Sequence, residues 1–460
     1  MHEIAATLTQ QLGPDKVATD PVLVREYSQD RAPDRPEAPA LAVVFAGSAE
    51  DVQTTVRACA AAGVRVVPRG AGSGLSGGAH AVKDSVIISL ERMNRILDVR
   101  AEDEVAVVEP GVVNADLNAA AAEHGLMYAP DPASFTFATI GGNIGTNAGG
   151  LRCAKYGVTR DSVLALDVVL ADGELVRLGH ATFKGVAGYD LVALLVGSEG
   201  TLGIVVGATV RLRHLPVKVV TIAAFFPDLP SAAAGVLAVG RARVQPAIME
   251  LMDRASIEDA DALNGTAFAS RGSALLLVQT DGFGADAEAA VVREVLREAG
   301  GALADESSLR AGSSDAERFV LIRRNNRGSG AEDRLRVGED VAVPRSLLVD
   351  YAAELERIAA EYRVGMKLVA HAGDGNLHPT FWAEPQPGEE EAAVADLDRA
   401  LDDSVRVALA MGGTITGEHG IGSFKLRWLG WEQSERVREL QRGIKDVFDP
   451  HGVLNPGKAI

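Results

Sequence analysis

The glycine-rich stretch PRGAGSGLSGG at residues 68–78 narrows the possible folds more than any other part of this chain. It follows a Val-rich run at 64–67, read as a β-strand, and carries GxGxxG at Gly72, Gly74 and Gly77. In a Rossmann unit the last glycines of that motif open a helix inside a βαβ crossover. Only residues 79–85 separate this loop from the next apolar run, 86–90, too few for a crossover helix of about ten residues. The dinucleotide fingerprint therefore fails on its context. What survives is a loop rich in exposed N–H groups, a nest suited to phosphate oxygens, with Arg69 as a cationic donor.

Around this loop the chain alternates short strands and helices. Ser48-Ala49-Glu50-Asp51 has the form of a capping box and predicts a helix that stops at Gly63. Strands are expected at 105–108, 163–170, 175–178 and 204–212, with Asp172-Gly173 turning a hairpin and Asn114 capping a helix that ends near Gly125. Past about residue 213 the character changes. Strands at 219–226 and 274–279 alternate with helices near 230–243 and 285–298, and two long amphipathic helices follow at about 346–362 and 389–410. Mixed strands, helices and hairpins indicate an α+β protein rather than an all-parallel sheet.

Bulk properties exclude several function classes. At 460 residues and 47% hydrophobic composition the chain can bury two or three cores. A net charge of −18 without a basic patch argues against nucleic acid. Two cysteines, Cys59 and Cys153, with no CxxC, make neither a disulfide scaffold nor an iron–sulfur site. No secretory signal pattern and no apolar run of about eighteen residues is present, which predicts a cytoplasmic protein, peripheral to a membrane only through a partner.

A second constellation carries chemistry. In HAGDGNLH, residues 371–378, the Asp374-Gly375 pair lies between two apolar stretches and predicts a tight hairpin. With Asp374 and Gly375 as its central residues, His371 and His378 fall directly opposite one another, with Cβ atoms roughly 4.5–5.5 Å apart. Two imidazoles so placed can grip a divalent ion, Glu418 can complete a three-ligand site, and His419 is left beside it as a base. Two further glycine loops, ATIGGNIGTNAGG at 138–150 and GSEGTLGI at 197–204, offer backbone amides with few side chains. Three such loops suit one elongated ligand bearing phosphates and a flat ring.

With PDPAS at 130–134, GEHGIG at 417–422 and LNPGK at 454–458, these motifs form an ordered set of seven spanning almost the whole chain. In this the chain resembles the FAD-linked 2-hydroxy-acid dehydrogenases and oxidases. These are the D-lactate, D-2-hydroxyglutarate and glycolate-oxidising flavoproteins of the vanillyl-alcohol-oxidase type. The resemblance implies a two-part FAD-binding domain at 1–213, an α+β, ferredoxin-like substrate cap at 214–412 and a C-terminal segment at 413–460 that returns to the flavin.

By position, Arg69, Gly70, Ala71, Gly72, Ser73, Gly74 and Leu75 would hold the pyrophosphate. Pro130, Asp131, Gly141, Gly142, Gly145, Thr146, Gly149, Glu199, Ile204 and Asn455 would complete the cofactor site. Some relatives tether flavin through a His in the first loop. None lies in residues 68–78 here and His80 falls outside, so non-covalent FAD is expected.

The implied reaction is oxidation of a D-2-hydroxy acid, D-lactate-like, to the 2-oxo acid, with hydride passing to flavin N5. His371, His378 and Glu418 match the residues that hold a divalent metal, zinc or manganese, and His419 matches the general base. Arg323, Lys425 and Thr380 would meet the substrate. The D-2-hydroxyglutarate branch has a Lys near the position of Gly338 and an Asn where Thr380 stands, and both departures favour a smaller acid. Electrons would pass to a quinone, a cytochrome or an electron-transfer flavoprotein, and the oligomeric state stays open, a homodimer being one option. Two alternatives accompany this reading: a glycolate oxidase catalytic subunit needing companion chains, and a non-redox transferase resembling the alkyl-glycerone-phosphate synthases.

Overall fold

The computed structural model describes residues 3–304, 319–320 and 335–460, which fall into two compact units. The first comprises Met1–Gly149, Gly157–Leu215 and Glu418–Ile460. The second comprises Gly150–Tyr156 and Pro216–Gly417.

Within the first unit, a four-stranded sheet runs in the order Val17–Ala18, Ala42–Phe45, Ser85–Ser89, Arg65–Arg69. Strands Ala42–Phe45 and Arg65–Arg69 both lie parallel to Ser85–Ser89. The connection from 70 to 84 that joins two of these parallel neighbours contains no helix, as the spacing requires. Helix Ala49–Ala62 starts at Ser48, whose hydroxyl accepts the Asp51 N–H, and stops at Gly63 in the left-handed region, φ 64°. The Asp51 carboxylate accepts the Gly47 N–H and pairs with Lys16.

A second, five-stranded antiparallel sheet of this unit runs Ile96–Arg100, Val105–Val108, Ile204–Arg211, Val163–Val169, Leu175–Gly179. Its core gathers Val108, Leu117, Tyr128, Ile144, Leu166 and Val210. Asn114 departs from expectation: Val113 holds the N-cap position of helix Asn114–Ala122 without a side-chain bond. The Asn114 amide instead donates to the buried Pro130 carbonyl, a partner distant in sequence that outcompetes the local cap.

Near the C-terminus, Leu454 forms a parallel bridge to Val66 on the edge of the four-stranded sheet. Val66 N–H donates to Val453 O at 2.8 Å and Asn455 N–H to Val66 O at 2.7 Å. Burying Val453 and Leu454 in the adjoining core anchors the tail there.

Among the described residues, the second unit is one eight-stranded sheet with helices. Strands Val219–Phe226, Ile248–Asp253, Ala274–Asp281 and Ala302–Leu303, with helices Leu229–Arg241 and Ala285–Glu298, follow the β-α-β-β-α-β pattern. Taken as one to four, these strands lie in the order 4-1-3-2, the ferredoxin-like arrangement. Strand Gly365–His371 continues the sheet beside Ile248–Asp253, followed by Asn376–Ala383 and Leu335–Gly338. No helix among the described residues is long and apolar enough to cross a membrane.

Candidate active site

Two glycine loops of the first unit meet closely. A Cβ on Gly70 would collide with Thr139 Oγ1 and stand 3.6 Å from Gly142 Cα. The second loop is a short helix, Ile140–Thr146, whose N-cap Thr139 accepts the Gly142 N–H. A Cβ on Gly145 would meet nothing within 4 Å, so this surface is open beside a crowded one. Asn143, 3% exposed, and Ser76, 2% exposed, each bury a polar side-chain atom without a hydrogen-bond partner. Amide-rich loops, open glycine surface and buried polar atoms lacking partners fit a long polar cofactor such as a flavin dinucleotide.

Glu199 joins the third loop to both the second loop and the tail segment. Its carboxylate accepts the Ile421 and Gly422 N–H groups at 2.7 and 2.8 Å, and its carbonyl accepts the Asn455 side chain at 2.7 Å. Its N–H donates to Gly145 O. The backbone sits at φ 53°, a conformation costly for a residue with a Cβ. Burial pushes the Glu199 carboxyl up to about 7, while the two N–H groups and the neighbouring Lys458 pull it down. His80 is also buried and faces Asp30 at 3.0 Å.

The second unit positions the histidines. Strands Gly365–His371 and Asn376–Ala383 form the expected hairpin, but its register differs from the sequence reading. His371 stands opposite Asn376, and His378 opposite Val369. Residues 372–375 form a four-residue loop, closed by the Gly375 N–H donating to His371 O, with Gly375 at φ 87°. The wider loop follows from packing, because Val343 N–H donates to Gly375 O and the Val343 carbonyl fills the space a Cβ would need. His371 and His378 are thus diagonal neighbours on one face rather than directly opposed. Their side chains still meet, with ring centroids 5.1 Å apart and ligand nitrogens within 4.8 Å.

Two carboxylates unforeseen from the motifs stand behind these rings. Glu250 Oε1 lies 2.7 Å from His371 Nδ1, and the pair is almost fully buried. Asp340, 0% exposed, faces His378 Nδ1 at 3.9 Å and accepts from the Asn376 side chain at 2.7 Å. The other Asp340 oxygen accepts from Thr416 Oγ1 and the Gly417 N–H. This ties segment 414–417 beside the hairpin. Gly417 must lack a side chain, since a Cβ would collide with the Asn376 amide. A lone Glu in the otherwise apolar run IMELM, and an acid pair in VGEDVAVP, were the available sequence signals.

Of the remaining predicted residues, Thr380 lies on strand Asn376–Ala383 directly opposite Gly338. Lys425 is 2% exposed at the start of helix Leu426–Glu432. Glu418 and His419 are adjacent, with Oε1 and Nε2 4.0 Å apart. Arg323 lies outside the described residues. Two imidazoles of one face, backed by buried acids, offer nitrogen donors to a divalent cation of zinc or manganese type.

Comparison with known proteins agrees with this architecture. Residues 215–459 match the family model described as FAD linked oxidases, C-terminal domain, and residues 40–179 match the FAD binding domain. The chain is 35% identical over 460 residues to glycolate oxidase subunit GlcD of Bacillus subtilis, covering 99% of this chain and 96% of that one. It is 36% identical over 420 residues to D-lactate dehydrogenase of Archaeoglobus fulgidus, covering 91% of each. Among solved structures, p-cresol methylhydroxylase with substrate bound superposes with a TM-score of 0.78 at 20% identity, covering 99% of this chain and 96% of that one. That likeness establishes the vanillyl-alcohol-oxidase type of fold.

Proposed function

The chain belongs to the FAD-linked oxidases, and from that premise we propose that it oxidises a D-2-hydroxy acid of lactate size to the 2-oxo acid. The observation that carries this reading is the pair of imidazoles of His371 and His378 on one sheet face, with Glu250 behind the first. His371, His378 and Glu418 would hold a divalent ion, zinc or manganese. Residues 69–75, Pro130, Asp131, Gly141, Gly142, Gly145, Thr146, Gly149, Glu199, Ile204 and Asn455 would hold FAD without a covalent bond. When bound, the flavin supplies a hydride acceptor and the ion a Lewis acid that lowers the substrate hydroxyl pKa by several units.

The protein's own groups do the rest. His419 takes the hydroxyl proton at an imidazole nitrogen, as the general base of the reaction. Arg323 would bind the substrate carboxylate, and Lys425 would neutralise a second acid group or the flavin locus. Gly338 and Thr380, directly opposed, stand where the D-2-hydroxyglutarate branch has a Lys and an Asn, which supports a small monoacid. A quinone, a cytochrome or an electron-transfer flavoprotein would reoxidise the enzyme. The subunit name of the Bacillus relative keeps companion chains in view as the second reading.

Anaerobic mixing with D-lactate should bleach the flavin absorbance within seconds, and chelator should slow it. His419→Ala should keep FAD and metal yet reduce flavin about 10²- to 10⁴-fold more slowly. A flavin left oxidised by every D- and L-2-hydroxy acid tried would end the proposal and favour non-redox chemistry.

A further inference from the structure

Strand Ile248–Asp253 is buried at every position, and within its interior only Glu250 is charged. An ionised carboxylate in such surroundings is costly unless it is paired and hydrogen-bonded. Its observed partner is His371, directly opposite it across the antiparallel pair of strands, at 2.7 Å from Oε1 to Nδ1. Met249 and Leu251 point to the other face and are equally buried, so the pair is fixed by packing on both sides of the sheet.

We propose that Glu250 is a positioning residue that sets how His371 binds a divalent cation. This rests on the metal reading given above. A carboxylate oxygen 2.7 Å from Nδ1 is placed to accept the Nδ1–H, which leaves the Nε2 lone pair for the cation. Glu250 thus fixes the tautomer, stops ring rotation and increases the basicity of Nε2. Asp340 stands 3.9 Å from Nδ1 of the second ring, His378. Glu250 is thus the group that preorganises His371 as a ligand.

The test is calorimetric titration of Mn²⁺ into the FAD-loaded, chelator-stripped protein. Wild type should bind one ion. Glu250→Gln should bind it roughly 10- to 100-fold more weakly with unchanged FAD content. Glu250→Met, apolar and of similar length, should weaken binding at least as much and serves if the amide variant fails to accumulate. Unchanged Mn²⁺ affinity in either folded variant overturns the role of Glu250 while leaving the metal site standing. No binding by wild type overturns both.

Discussion

A Cβ at position 145 would meet nothing within 4 Å, whereas one at Gly70 would run into Thr139. The two glycines are therefore needed for different reasons: Gly70 lets two loops touch, and Gly145 leaves a surface bare. Gly145→Val should still fold, because the added Cβ meets no neighbour outside its own helix, yet retain less than a tenth of the wild-type flavin. Flavin absorbance per protein after purification, together with a thermal melt, checks this, and full FAD occupancy in the variant would refute the open-cradle reading. At this scale the motifs single out His371, His378, Glu418 and His419 as candidates, since each sits in a glycine-rich context. Glu250 and Asp340 were not read out, because a single acid in an apolar run has no partner until strands far apart in sequence are paired.

Helices and strands were most legible where local chemistry sets their ends. Ser48 and Gly63 bound one helix as expected, and strands 105–108 and 219–226 fall where their Val-rich runs lie. The HAGDGNLH hairpin was legible as a hairpin but not in register, because Val343, from another segment, helps to shape the turn. Another long-range link supports this hairpin. Asp253 caps helix Arg254–Asn264 through the Ser256 N–H and also accepts the Leu368 N–H, both at 2.8 Å. Asp253→Ala removes a cap worth about 1 kcal/mol and leaves a buried N–H unpaired at about 1–3 kcal/mol. The variant should lose roughly 2–4 kcal/mol of stability on denaturant unfolding. A loss below about 0.5 kcal/mol would show that water replaces the carboxylate.

At the scale of the whole molecule, the first unit is assembled from three separate stretches of chain, and Gly150–Tyr156 joins the second unit from between two of them. Lys155 and Tyr156 pair there with Asp281. The tail segment that carries LNPGK adds to the edge at Val66 and reaches Glu199 through Asn455. The first loop contains no histidine, and His80 is buried against Asp30. Acid precipitation of the purified protein should therefore leave the yellow colour in the supernatant. Colour retained by the pellet would mean a covalent flavin.

Sequence alone determined the local grammar: where helices begin and end, which loops must be glycine, and that the first GxGxxG cannot open a Rossmann helix. These follow from interactions within a few residues, so spacing is enough to read them. Tertiary structure decided the hairpin register, the carboxylates behind each imidazole and the sheet edge that receives the tail. Those depend on which distant strands share hydrogen bonds, and that choice is made by burial and packing over the whole unit rather than by any one segment.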